Sequence, residues 1–282
     1  VIIRPNMGLS IPRRPGPIMV RPRMILPSAR LGEPAETSPA GVPATLWFDS
    51  RYHITEYVGS PHGVQAQEWG TMPDGLGNVA SNDVAAPETH ANGRALLVQN
   101  DPVSGQRVAG LGYTFGHYRW MNIAGAAPLA PEVTVWIFSQ EPSDGVAHIP
   151  LSGADIPSGN ARVWTSSGAM KPRFDYFEAA FIPAGIPAKS TTDWTLTKFA
   201  ASSVLQEASI AYDDGPDYFN SKTCTFSPGG NWTDIVLEST FRYWGGWIAF
   251  ILIIDQYVLA GDDEQQNVLD HVLTEFPLLA TY

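Results

Sequence analysis

Trp244-Gly-Gly-Trp-Ile-Ala-Phe-Ile-Leu-Ile-Ile-Asp255 is the stretch on which the fold turns. From Trp247 to Ile254 every position is apolar, and Asp255 closes the run. Such a run, bounded by Gly-Gly and Asp and rich in Ile, predicts a strand buried on both faces and therefore central in its sheet. It is too short for a bilayer span, which needs about 18 or more apolar residues, and no run of that length occurs elsewhere. Downstream, Asp262 and Asp263 can cap a helix. Val268, Leu269, Val272, Leu273 and Phe276 repeat on it at helical spacing, and Pro277 ends it.

Upstream, short β-rich runs recur at Thr45 to Phe48, Leu96 to Gln99, Val133 to Ser139, Arg162 to Thr165, Phe174 to Phe181, Ala208 to Tyr212 and Ile235 to Leu237. Gly, Pro, Asn or Asp clusters separate them, which predicts an antiparallel sandwich or jelly roll rather than a parallel α/β sheet. Val133, Val135, Ile137 and Ser139 alternate with Thr134, Trp136 and Phe138, so both faces of that strand should be covered. Gln140 to Pro172, rich in Gly, Pro and Ser, reads as long loops. Composition agrees. The 282 residues include 26 Gly and 24 Pro, only 16% are charged, and nine Trp, ten Tyr and twelve Phe supply a large core. A charged share well below the usual quarter and so many turn formers exclude a coiled coil or helical bundle. The single Cys224 excludes a disulfide framework and leaves the redox compartment open.

The formal charge of −11 conceals two regions. Residues 1–32 hold Arg4, Arg13, Arg14, Arg21, Arg23 and Arg30 and no acid, whereas the rest holds 11 basic and 28 acidic side chains, a net −17. The body should repel nucleic acid and anionic membrane, and the leading segment should seek negative surfaces. Nine of the 24 prolines fall in residues 1–43, with Ile18, Met19, Ile25 and other aliphatics between the arginines. A plain linker would carry more Gly and Ser. Two readings fit: a disordered tail, or an arm that orders along a partner, burying its aliphatics and pairing its arginines. The second is the expectation here. Glu33 to Pro43 reads as the hinge to the body. Arg and Pro interrupt the early residues too often for a secretory leader, so a soluble chain is expected.

The C-terminal motifs resemble a known family. Gly246, Ile248, Ala249, Leu252 and Asp255 fill the strand G-x-I-A-x-x-L-I-Y-D that closes concanavalin A-like (laminin G-like) jelly-roll modules, and Leu259, Glu264 and Gln265 approximate the helix entry L-S-x-x-E. Leu46-Trp-Phe-Asp49 is similar to their opening L-W-L-D, and Asn92-Gly-Arg-Ala-Leu-Leu-Val98 to their N-G-x-x-A-L-x-F strand. Val133 to Phe138 is similar to the next core strand, and Ala211-Tyr-Asp-Asp-Gly215 with Tyr218-Phe-Asn220 to a Y-D-G hairpin. The ordered set spans residues 44–282. It resembles the modules of tailed-bacteriophage virion proteins, which carry short N-terminal attachment segments. That resemblance implies an all-β jelly-roll body behind an extended arm, localised to the virion and partnered by other virion proteins and by copies of itself.

Catalytic signatures are weak. Retaining glycosidases on such sandwiches need two close carboxylates, usually on one strand as E-x-D-x-x-E, and no such cluster occurs. The six histidines are scattered without metal-binding spacing, and no G-x-S-x-G elbow is present. Gly110-Leu-Gly-Tyr-Thr-Phe-Gly116 lacks the phosphate-loop context and reads as a turn. Cys224, between two threonines, reads as a buried inert thiol. Asp213, Asp214 and Asp217 surround a Gly-Pro turn. A calcium site there is the one cofactor reading, set against a plain turn. Trp69, Trp120, Trp164, Trp194 and Trp232 lie in loop-like surroundings, and Trp120, Trp164 and Trp232 are the candidate sugar platforms, against a core or interface role. The expectation is a non-enzymatic virion component, a decoration, collar or fibre module, held by its arm and facing outward with a lectin-like body. Host-glycan binding is the alternative and a glycoside hydrolase the remote one.

Overall fold

A computed structural model describes residues 37–57, 64–75, 77–81, 97–110, 121–140, 148–154, 162–166, 171–175, 183–190, 192–219, 231–235 and 246–280. The expected arm, with Arg4, Arg13, Arg14, Ile18, Met19, Arg21, Arg23, Ile25 and Arg30, lies outside these residues, as do Trp120 and Cys224. Along the chain run β1 (Leu46–Asp49), β2 (Ile54–Glu56), β3 (Ala66–Gly70), β4 (Val79–Ser81), β5 (Leu97–Asn100) and β6 (Arg107–Gly110). Then come β7 (Met121–Pro128), β8 (Glu132–Gln140), β9 (His148–Ala154), β10 (Arg162–Ser166) and β11 (Lys171–Asp175). The rest are β12 (Thr195–Ser202), β13 (Glu207–Tyr212), β14 (Tyr218–Phe219), β15 (Asn231–Ile235), β16 (Trp247–Ile254) and the helix α1 (Asp263–Glu275).

The strands form two eight-stranded antiparallel sheets. The first runs β14-β13-β12-β8-β16-β6-β5, with β1 also on β16; the second runs β11-β10-β9-β15-β7-β4-β3-β2. Neighbours distant in sequence, such as β8 beside β16 and β15 between β7 and β9, give the crossovers of a jelly-roll sandwich. β16 is central as its composition demands: it pairs with β8 on one side and with β1 and β6 on the other. Ile248, Ile251 and Ile253 face the second sheet, whereas Phe250, Leu252 and Ile254 face outward under α1. The core between the sheets also takes Phe48, Val135, Ile137, Phe199 and Ile210 from the first and Trp69, Met121, Leu151, Trp232 and Ile235 from the second. Phe48 and Trp69 meet across it with ring centroids 5.3 Å apart.

A third layer covers the other face of the first sheet. Val268, Leu269, Val272 and Phe276 of α1 bury against Trp136, Phe138, Phe250 and Leu252. Asp262 stands at the N-cap, yet its side chain makes no cap hydrogen bond; it accepts from the Leu259 N–H at 2.8 Å instead. Arg51 clamps the other end. Its guanidinium donates to both oxygens of Asp49 at 2.9 and 2.6 Å and to the Glu275 carbonyl and carboxylate at 2.9 and 2.6 Å, and it lies 4.3 Å over the Phe276 ring.

Several expectations need correction. Residues read as a hinge are packed from Ser38 onward: Ser38 and Ala40 are buried, Val42 and Ala44 pack on the α1 layer, and Asn267 donates to the Ala40 carbonyl. Ala35–Tyr282 is one compact unit. The stretch Gln140 to Pro172, read as loops apart from the strand expected at Arg162 to Thr165, holds β9 and the start of β11 as well as that strand, β10, because Ser and Gly there sit at positions paired along strands. The strand expected at Phe174 begins earlier, at Lys171, and the one at Ile235 ends there, having started at Asn231. No helix among the described residues is long and apolar enough to cross a membrane.

Candidate functional site

Two surfaces carry groups suited to ligands. The first is the solvent face of the second sheet. Strand register aligns Thr55 with Glu68, Glu68 with Ser81 and Ser81 with Asn122 across β2, β3, β4 and β7. Every position of this row is polar, and Thr55, Glu68 and Asn122 are exposed. Alternation produces it: Met121 and Ile123 point into the core, which leaves Asn122 outside. At about 4.8 Å between strands, these four strands set a row of roughly 14 Å with one hydrogen-bonding residue per strand. That repeat is comparable with the length of one sugar unit in an extended glycan.

The second surface lies at the edge of the first sheet around Asp213. Asp213 follows β13 with φ of +48°, a left-handed conformation that favours glycine. Its N–H donates to the Leu196 carbonyl at 2.8 Å and its Oδ1 accepts from the Leu196 N–H at 2.9 Å, so one residue imitates a further rung of the β12–β13 ladder. Gln265 of α1 ties it down, donating to the Asp213 carbonyl at 3.0 Å while accepting from the Trp136 indole at 2.8 Å. Burial pushes the Asp213 carboxyl up to about 6, against the Leu196 N–H and the Lys189 charge, which pull it down. A cleft of about 240 Å³ opens beside it, lined by Lys189, Asp193, Trp194 and Tyr212. Another of about 260 Å³ is lined by Asp214, Asp262, Asp263, Gln265 and Gln266.

The residues singled out from sequence fare unevenly. Trp232 is 0% exposed in the inter-sheet core, so its ring offers no face to a sugar. Trp69 and Trp194 are buried too; Trp69 and Trp232 belong to strands β3 and β15 rather than loops. Trp164 lies in β10 opposite Arg173, two positions beyond Arg162. The three aspartates do not gather as a calcium site would require. Asp213 is spent on Leu196, whereas Asp217 faces Lys198 at 2.6 Å and the Ala260 N–H. Among the described residues no three His, Cys, Asp or Glu side chains are placed to hold a metal.

Lys198 went unnoticed in the sequence. The available signal was one charge inside Thr195-Leu-Thr-Lys-Phe-Ala-Ala-Ser202, a strand buried at every position, which demands a buried partner. The polar row was equally invisible, since it is made by register between strands and not by any local motif.

No family model matches this chain, and no curated protein matches it either. Among solved structures it is similar to the sialidase of Trypanosoma rangeli, at 11% identity and a TM-score of 0.47 over 84% of this chain and 33% of that one. It is similar to the receptor-binding domain of botulinum neurotoxin type G, at 10% identity and a TM-score of 0.48 over 81% and 52%. A heptameric SAP-like pentraxin from Limulus polyphemus matches at 12% identity and a TM-score of 0.42 over 56% and 77%. The chain thus spans about a third of the sialidase's length and half of the neurotoxin domain's.

Proposed function

We propose that this chain is a non-enzymatic attachment module of a bacteriophage particle, held by its N-terminal arm and displaying the sandwich. The observation that carries the reading is the partition of charge: six arginines and no acid in residues 1–32, interleaved with aliphatics and prolines, ahead of a body of net −17. Aliphatics buried along a partner contribute about 25 cal/mol per Å². Prolines lower the ordering cost relative to a Gly-rich arm. Copies on a symmetric particle multiply weak contacts. Deleting residues 1–32 tests it: the body should still fold, and incorporation into particles should be lost. A truncated chain that incorporates normally refutes the reading.

The polar row on the second sheet favours an added role in glycan recognition. Its hydroxyl, amide and carboxylate groups suit sugar hydroxyls, and its position leaves the helix side free for attachment. Glycan-array binding that Glu68→Ala and Asn122→Ala both weaken supports this role; an array silent towards the intact chain removes it and leaves the attachment reading standing.

A further inference from the structure

On the outer side of the first sheet, beneath the turn that joins β16 to α1, two ionisable groups form a buried pair behind the cleft lined by Asp214 and Asp262. Lys198 of β12 has a side chain 1% exposed, and Asp217, just before β14, has one 5% exposed. Nζ lies 2.6 Å from Oδ1, and among the described residues neither atom has a hydrogen-bond partner outside this pair. The second carboxyl oxygen is occupied separately: Oδ2 accepts the Ala260 N–H at 2.5 Å. The amine is thus pressed against a carboxyl whose far oxygen is gripped by a backbone donor, in a buried site between an interior strand and a turn.

We propose that Lys198 and Asp217 are the precursors of an intramolecular isopeptide bond that the fold itself forms. Burial works toward the reactive forms. It pushes the Lys198 ammonium down against the pull of the Asp217 hydrogen bond and charge, and a proton passed from Nζ to Oδ1 leaves a neutral amine facing a carboxylic acid. The Nζ lone pair then attacks Cγ. Electrons of the carbonyl move onto Oδ2, where the Ala260 N–H stabilises the oxyanion as a preorganised donor does in acyl transfer. Collapse restores the carbonyl at Oδ2, breaks the Cγ–Oδ1 bond and expels Oδ1 as water with the proton it received and one more from nitrogen. Amine plus acid give amide plus one water, so no oxidant or external reagent enters. Fixed contact between the partners replaces a bimolecular encounter, and exclusion of solvent protects the product from hydrolysis. The bond would staple β12 to the turn before β14, closing a loop over residues 198–217.

The test is mass spectrometry of the folded full-length chain. The intact mass should fall one water short of that of the sequence. Cleavage after Glu207, which lies between the two residues, should leave peptides joined through Lys198 and Asp217. A succinimide at Asp214-Gly215 gives the same mass deficit but is opened by hydroxylamine, whereas the amide is not. Lys198→Arg keeps the buried charge while removing the acylable amine, so there the deficit should vanish. A folded wild-type chain at full mass overturns the proposal. So does a deficit that maps to the succinimide, or one that persists in Lys198→Arg.

Discussion

Replacing Arg51 by Met isolates the clamp between α1 and the sandwich. Asp49, at the end of β1, is 1% exposed, and both its carboxylate oxygens accept from the Arg51 guanidinium. Removing one partner of a buried ion pair costs about 3–5 kcal/mol, because the other charge stays unpaired. The Arg51 backbone N–H, which also donates to Asp49, survives the substitution and puts this case at the lower end. Loss of the guanidinium over Phe276 adds about 0.5–1 kcal/mol. The Glu275 partner is a partly exposed ion pair that contributes between about 0 and 1 kcal/mol. Arg51→Met should therefore lose about 3.5–5 kcal/mol, a large share of the 5–15 kcal/mol of a typical domain. Urea unfolding followed by tryptophan fluorescence reads it out. The double variant Asp49→Asn with Arg51→Met should recover at least about 2 kcal/mol of that loss, since the orphaned charge is gone. A single-variant loss under about 1 kcal/mol, or two losses that simply add, would refute the reasoning.

Three further outcomes follow from the same structure. His271 packs against Phe250 and Trp47 with centroids 5.5 and 6.2 Å away, and burial, aided by the Arg51 charge, pushes its pKa down despite Asp49 and Glu275. The unfolded chain then binds the proton more readily, so stability should fall as pH drops below about 6.5, and His271→Phe should flatten that slope in urea titrations at successive pH values. Asp213 has the opposite sign: with its carboxyl raised to about 6, its contribution is complete below the unfolded value and is lost as pH rises through about 6. Asp213→Asn, which keeps an acceptor for Leu196, should gain on the order of 1 kcal/mol at pH 7.5 after allowance for solvent screening, and nothing below about pH 4; thermal melts at the two pH values decide it. In Gly70→Ala the new Cβ would stand 2.8 Å from the backbone of Gly75, so one strand end must shift, costing about 1–3 kcal/mol by chemical denaturation, with a neutral result contradicting the close approach.

The parts of this fold that could be read in the sequence are those that use local rules. β16 and β8 announced themselves because both their faces are buried, and α1 because its apolar residues keep helical spacing up to Pro277. Second-sheet strands such as β3, β4 and β7 went unread, being short or rich in Ala, Gly and Asn, and lacking the continuous apolar run of β16. Tryptophan misled for a related reason. Gly229-Gly-Asn-Trp232 has the composition of a loop, yet β15 is sandwiched between β7 and β9, and that pairing, remote in sequence, buries the indole completely. Asp217 seemed one of three equivalent acids until Lys198, nineteen positions earlier on another strand, supplied its partner.

The residues from Ser38 to Ala44 travel along the helical layer, on the reverse of the sheet pair from the Thr55–Asn122 row. A bulkier residue at buried Ala40 would therefore push on α1 and its sheet face while leaving the Thr55–Asn122 row, on the opposite side of the sandwich, undisturbed.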